Sequence, residues 1–106
     1  MKFDIESTVK SMLVAVKNSA GEDIKQVQET AGQFFEMNKA RIGKLVQYRL
    51  TGKIDQDDFE SRLEDEKKML EAQFNTITVI TKVMAQNAAN AAIDVLNSAV
   101  KAALQI

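Results

Sequence analysis

The sequence predicts an all-α protein, and three observations lead to that prediction. Proline is absent and glycine occurs only four times among 106 residues, so few positions interrupt a helix. Hydrophobic residues recur at helical spacing along most of the chain, as in amphipathic helices. One segment, "RLTGKIDQDDF" (residues 49–59), combines a helix stop with a helix start. We therefore expect a single domain, residues 1–106, built on a long antiparallel helical hairpin whose turn lies near Gly52.

The first arm of the predicted hairpin contains two amphipathic helices, over residues 4–19 and 21–51. Each keeps its apolar residues on one face, for example Ile5 and Val16 in the first helix. Gly21 lowers the helix propensity between them, and the flanking sequence "SAGE" has the Ser-to-Glu spacing of a capping box. We expect the chain either to bend near Gly21 or to run straight through it.

The turn between the two arms is the most clearly marked feature of the sequence. Gly52 can adopt the left-handed conformation that ends a helix, and Asp55 can cap the next helix by accepting the backbone N–H of Asp58. A calcium-binding EF-hand loop starting at Asp55 would need glycine at its sixth position, where this chain has Glu60. We therefore interpret the acidic cluster as helix capping.

The second arm keeps the helical period almost to the end of the chain. We expect helices over residues 55–86 and 87–104, with one unbroken helix as the alternative. The weakest point is "AQNAAN", which lies opposite Gly21 when positions are counted outward from the turn. Because both arms weaken at one level, the hairpin is expected either to kink near Gly21 and Asn87 or to fold there into a three- or four-helix bundle.

The charges on the two arms differ in sign near the turn. The end of the first arm, residues 39–53, is basic, and the beginning of the second arm is acidic. Counting outward from the turn places Arg41 opposite Asp65 or Glu66, so ion pairs are expected to orient the hairpin. The net charge of −1 and these acidic neighbours weigh against nucleic acid, which we keep as an alternative partner. The candidate nucleic-acid patch consists of Arg41, Lys44 and Arg49.

The composition argues against an enzyme. The chain contains no histidine and no cysteine, which removes the commonest general base, the thiol nucleophile and nearly all zinc sites. The carboxylates at Glu22, Glu29 and Glu36 lie away from the apolar face, and we interpret them as a solvated surface. The sequence has no glycine-rich phosphate loop. We therefore expect no catalytic residue, no metal and no cofactor.

The last predicted helix carries little charge, since only Lys82, Asp94 and Lys101 are ionised after Phe74. Its apolar arc is too wide for one neighbouring helix to bury. The candidate covers are residues 5–16 of the same chain, other copies of the chain, or a membrane surface. We favour other copies, because alanine permits close helix approach and asparagine can set register. The predicted homo-oligomer contact consists of Ala88, Asn90, Ala91, Val95 and Ala99.

Membrane contact is expected to be limited to the surface of a bilayer. Polar residues between Lys82 and Lys101 leave no apolar run that is long enough to span one. An interfacial helix would also carry more lysine or arginine on its polar face. Near the start of the chain, "MLVAV" is too short for a signal-peptide core, so we expect no cleavable signal peptide. The protein is then either cytoplasmic or exported without one.

The segment "LEAQFNTITVITKVMAQNAANAAIDVLNSAV" (residues 70–100) resembles the C-terminal helices of type III secretion inner-rod and needle subunits in composition and order. Those small helical proteins polymerise through a low-charge C-terminal helix, so the resemblance implies polymerisation and a role in a secretion apparatus. The turn "LTGKIDQDD" lacks the proline-containing loop that is typical of needle subunits. We expect a non-enzymatic structural or interaction subunit that self-assembles through its C-terminal helix. A monomeric helical bundle that binds a specific protein partner is the alternative.

Overall fold

The computed structural model describes residues 3–20, 25–77 and 80–104. These residues form four α-helices: α1 (Ile5–Ala20), α2 (Lys25–Leu50), α3 (Gln56–Phe74) and α4 (Lys82–Leu104). Each helix packs beside the next, and α4 packs beside α1, so the all-α prediction is confirmed in the form of a four-helix bundle. The longest dimension is 41 Å, whereas one unbroken helix over the second arm would extend roughly 75 Å. The hairpin is therefore folded on itself.

The turn between α2 and α3 confirms the predicted hairpin. Gly52 has a φ of 80°, the left-handed conformation that glycine adopts without steric cost. Asp55 caps α3, because its Oδ1 accepts the backbone N–H of Asp58 at 2.8 Å. Deeper in the hairpin, Arg41 donates hydrogen bonds of 3.1 and 2.7 Å to the two carboxylate oxygens of Glu66. This contact confirms the predicted pairing of the two arms.

The break between the last two helices lies earlier than predicted. Residues 75–81 separate α3 from α4, so the predicted boundary at Asn87 is wrong, as is an unbroken helix. The connection contains "TITVIT", in which every residue is β-branched and loses side-chain freedom in a helix. Thr81 then caps α4, because its Oγ1 accepts the backbone N–H of Met84 at 3.1 Å. The bend that was predicted at Gly21 lies outside the described residues.

The centre of the bundle is filled by large side chains, most of which belong to α2 and α3. Phe35, Phe59 and Phe74 are at most 1% exposed. Complete burial of one such side chain stabilises the fold by about 1.5–3 kcal/mol. Because these rings occupy the space between α2, α3 and the rest of the bundle, they set how far apart the helices stand. The other large, almost fully buried side chains are Met12, Ile42, Leu63, Leu70 and Leu96.

A seam of small side chains joins α1 and α4. No other pair of described helices approaches as closely over as much of its length. Ala85, Ala88, Ala89 and Ala92 of α4 have no exposed surface, and small side chains at a contact let two helices come close together. We call these four buried alanines of α4, the helix that packs most extensively against α1, the alanine seam. It means that α1, one of the three candidate covers, lies over the apolar face of α4.

Candidate protein-binding groove

A groove runs between α2 and α3 on the outer surface of the bundle. These two helices contact each other less extensively than α1 and α4 do, and cavities of about 400 and 450 Å³ lie between them. Arg41 and Met69 line both cavities, and Nη2 of Arg41 donates to Sδ of Met69 at 3.9 Å, so these two side chains meet where the cavities adjoin. We call it the α2–α3 groove, and it has an apolar half and a charged half.

The apolar half of the α2–α3 groove is formed by Phe34, Met37, Met69 and Ala72. Met37 is 84% exposed and Met69 is 40% exposed, although methionine is usually buried. Phe34 lies deeper, at 7% exposure, and packs edge-on against Phe35 with the ring centroids 5.5 Å apart. Because the methionine side chain is flexible and polarizable, it adapts to differently shaped apolar partners. This half therefore suits apolar side chains from another molecule.

Tyr48 is the centre of the charged half. The ammonium groups of Lys44 and Lys53 lie over its ring, 5.8 and 5.2 Å from the centroid. The negative face of the ring attracts both cations and holds them at this end of α2. Within the part of the chain that the structure describes, neither lysine forms an ion pair with a carboxylate. Two positive charges are therefore available to a partner, one at Lys44 on the groove wall and one at Lys53, which follows α2 and does not line the groove.

The arginines of the charged half are already paired. Arg41 is half exposed, but the side chain of its partner Glu66 is only 8% exposed, so this ion pair is partly shielded from water. Arg62 donates from Nε to Asp58 at 3.2 Å, and both of these side chains are exposed. Asp65 lines the α3 wall and, among the described residues, is in no ion pair. The α2 wall thus carries the unpaired positive charge, and the α3 wall carries an unpaired negative charge.

The predicted nucleic-acid patch is divided in the structure. Arg41 and Lys44 both line the α2–α3 groove. Arg49 does not line it, and its Nε donates instead to Oε1 of Gln56 at 3.0 Å. Arg41 is held by Glu66, so Lys44 is the only member of the predicted patch that has neither a carboxylate nor an amide oxygen as a partner among the described residues.

The predicted homo-oligomer contact lies partly inside the bundle. Ala88 has no exposed surface and belongs to the alanine seam. Ala99 lines a shallow cavity together with residues at the start of α1. A contact between copies would therefore use the outer edge of α4 while α1 is in place. The half-buried members of the predicted contact are Asn90, Ala91, Val95 and Ala99.

A hydrogen-bonded network links α3 to α4. Oε2 of Glu60 accepts hydrogen bonds of 3.0 Å from Asn97 and from Gln56, and Nζ of Lys101 lies 3.5 Å from the same oxygen. Gln56 also donates to Oδ1 of Asn97 at 3.0 Å. The hydrogen bond from Asn97, and after it the one from Gln56, lowers the pKa of the Glu60 carboxyl. Asn97 and Lys101 of α4 are therefore joined to Gln56 and Glu60 of α3.

Met37 and Met69 were missed by sequence reasoning, which looks for apolar residues that face the core. A signal for Met37 does exist in the sequence. Met37 lies on the same face of α2 as Gln33 and Lys44, both of which are exposed, so it is an apolar side chain at a polar position. Met69 carries the same signal on α3, because it lies one turn from Asp65 and one turn from Gln73, both of which are exposed.

The described residues contain no group of three acidic side chains that could hold a metal ion. Over the same ranges, none of the helices combines the length and apolar character needed to cross a membrane. Comparisons with protein-family models, with curated proteins and with solved structures give no match to this chain. The chemistry of the α2–α3 groove is therefore the basis for the functional proposal.

Proposed function

We propose that this protein is a non-enzymatic interaction subunit that binds another protein through the α2–α3 groove. The observation that carries the proposal is the exposure of Met37 and Met69 beside the nearly buried Phe34. The two walls of the groove are held by the rest of the bundle, so folding alone leaves this apolar surface in water. A partner that covers it gains free energy from its burial.

The size of the groove suits a helix. Its α2 wall extends from Thr30 to Tyr48, which is roughly 27 Å, or about five helical turns. An amphipathic helix places its apolar side chains along one face and inserts them into such a groove. Complete burial of an exposed methionine side chain contributes about 1.5–3 kcal/mol, so covering Met37 and the exposed part of Met69 supplies part of the binding free energy.

The ionisable groups of the α2–α3 groove favour binding rather than reaction. The chain has no histidine or cysteine that could transfer a proton or act as a thiol nucleophile near neutral pH. Arg41 and Glu66 hold each other through two hydrogen bonds, which leaves this carboxylate poorly placed to act on a substrate. Charged groups in the groove are therefore assigned to recognition.

Site-specific photocrosslinking in the cells that produce the protein tests the proposal. A photoreactive amino acid replaces Met37 in one variant and Val14 in the control variant, where Val14 is an exposed apolar residue of α1 outside the groove. We expect a covalent adduct with a defined protein from position 37 only. The purified partner should then bind wild-type protein and lose affinity for the Met37→Glu variant. Adducts of equal yield from both positions would contradict the proposal.

Self-assembly through α4 is the second candidate, and the half-buried apolar edge at Ala91 and Val95 supports it. The resemblance of residues 70–100 to secretion rod and needle subunits points the same way. The test is the absolute mass in solution across a range of concentrations. On this proposal the Ala91→Glu variant has the monomer mass of 11.8 kDa and keeps its helical circular dichroism, whereas the wild-type chain is larger. A wild-type mass that stays at the monomer value would contradict it.

A further inference from the structure

We infer that the occupant of the α2–α3 groove is an amphipathic helix of another protein that carries carboxylates near one end. This inference rests on the proposed function and adds the charge pattern of the partner to it. The carboxylates pair with Lys44 and Lys53 while the apolar face of the helix covers Met37 and Met69.

The order of the groove residues along α2 sets the spacing that the partner needs. Met37 precedes Lys44 by two helical turns on the same face of α2, which separates the apolar anchor from the cation by roughly 10 Å. A helix that lies along α2 matches this spacing when its main apolar residue and its first carboxylate are also about two turns apart. Tyr48, one turn beyond Lys44, continues the same wall.

The lysines beside Tyr48 that form no ion pair among the described residues favour an acidic binding partner. Arg41 and Arg62 already have carboxylate partners within the chain, so they offer little net attraction to a ligand. Lys44 and Lys53 flank Tyr48 without such a partner among the described residues. Asp65 on the opposite wall repels carboxylates, which places the acidic end of the partner on the α2 side.

A second copy of this chain does not complement the groove. In a twofold dimer formed through it, each groove faces the same groove of the other copy. Lys44 and Lys53 would then meet either the apolar half of the other copy or its charged half, where Asp65 supplies one unpaired carboxylate for the two lysines. The phosphates and bases of nucleic acid could contact the two lysines and Tyr48. Nucleic acid would leave the exposed methionines uncovered, however, and Asp65 repels its phosphates.

Selection from a phage-displayed library of helical peptides, each of about 18 residues, tests the inference. The library is panned on the wild-type protein after removal of phage that bind the Met37→Glu variant, so the peptides that remain depend on the groove. We expect them to share an apolar face and to carry Asp or Glu about two turns from its centre.

One selected peptide, carrying a fluorescent label, is then titrated against purified variants by anisotropy. Two exposed ion pairs contribute about 0.2–1 kcal/mol each, so Lys44→Gln with Lys53→Gln should weaken binding roughly two- to thirtyfold. The control is Lys10→Gln with Lys17→Gln, two exposed lysines of α1, which should leave the affinity unchanged. Circular dichroism verifies that all variants keep their helical content.

The possible results separate the two proposals. Groove-dependent peptides without an acidic preference, or with a basic one, would overturn the inference and leave the proposed function standing. Failure to recover any Met37-dependent peptide would overturn both. Binding of a labelled oligonucleotide that is lost with the two lysines, or self-association that is lost in Met37→Glu, would also overturn the inference in favour of those partners.

Discussion

α1 and α4 pack through small side chains, whereas α2 and α3 pack around large ones. In the alanine seam the two helices come close together and exclude solvent, as the zero exposure of Ala88 and Ala92 shows. In the α2–α3 groove, Phe34 is covered but Met37 and Met69 remain accessible. The same chain therefore buries the alanine seam and leaves part of the α2–α3 groove uncovered, while Val14 and Val83 stay exposed elsewhere on α1 and α4.

The difference shows that hydrophobic content does not determine where a binding surface lies. α4 is the most apolar helix by composition, and α1 covers its apolar face. The charged helices α2 and α3 carry the exposed methionines, because the volume of the side chains between two helices determines how closely they approach. Four sets of substitutions test this contrast.

Enlarging the alanine seam is expected to cost the most stability. Ala88→Leu combined with Ala92→Leu forces side chains into space that is already filled, at about 1–3 kcal/mol for each substitution. The matched control, Ala40→Leu combined with Ala72→Leu, adds the same atoms at exposed positions and should change the free energy of unfolding by about 0.5 kcal/mol or less per site. Urea unfolding followed by circular dichroism measures both. Equal losses would show that the seam is not tightly packed.

Removing the ion pair inside the α2–α3 groove is expected to have the next largest effect. Arg41→Ala leaves the buried carboxylate of Glu66 without its partner, which should cost about 1–3 kcal/mol. Arg62→Ala removes an exposed pair with Asp58 and should cost about 0.2–1 kcal/mol. The free energy of unfolding in urea separates the two cases. If Arg62→Ala were the more harmful, Glu66 would have to be better solvated than its burial indicates.

The α3–α4 junction adds a contribution that depends on pH. Because hydrogen bonds from Asn97 and Gln56 lower the pKa of Glu60 in the folded protein, they stabilise the fold above the ordinary value of 4.5. That stability is lost as pH falls through the lowered pKa. Asn97→Ala should therefore destabilise the protein at pH 7, and its difference from wild type should shrink in acid. Urea unfolding of wild type and Asn97→Ala at pH 7 and at an acidic pH below the lowered pKa of Glu60 tests this. A difference in the free energy of unfolding that grows in acid would exclude the proposed linkage.

Alanine substitutions at two glycines, Gly43 and Gly52, are expected to change the stability of the protein by small amounts and in opposite directions. A Cβ at Gly43 would meet no atom within 4 Å, so Gly43→Ala in the middle of α2 should stabilise the protein by about 0.4–1 kcal/mol. Gly52 has a positive φ, and Gly52→Ala should destabilise the turn by about 1 kcal/mol. Melting temperatures of the two variants should move in opposite directions. A lower value for Gly43→Ala would indicate that α1 packs against this position more closely than the space around it allows.

Features that depend on neighbouring residues were predictable from the sequence. The turn at Gly52, the cap formed by Asp55 and the contact between Arg41 and Glu66 follow from local chemistry and from counting positions outward from the turn. The sequence prediction places the break before α4 too late, because it rests on the asparagines and the opposite Gly21 and not on the run of β-branched residues at 76–81. That run favours an extended backbone more strongly than the asparagines oppose a helix.

The α2–α3 groove could not be predicted in the same way. Helical period identifies which side chains face inward, and it correctly places Phe34 and Phe35 in the core. The distance between α2 and α3 depends on all the side chains packed between the four helices. A single sequence does not show how those side chains are arranged in space. Met37 and Met69 are each recognisable as an apolar residue at a polar position, but that they line one groove follows only when the two helices are placed side by side.

The alanine seam also bears on the order of folding. It joins the first helix to the last, so it is the contact with the greatest separation along the chain, whereas the contacts around Gly52 are local. Local contacts cost less loop-closure entropy, and we therefore expect the α2–α3 hairpin to form early and the seam to close late. Until the seam closes, the apolar face of α4 is uncovered. During synthesis α1 leaves the ribosome well before α4, the helix that it must cover. Substitutions in the seam should thus accelerate unfolding far more than they slow folding.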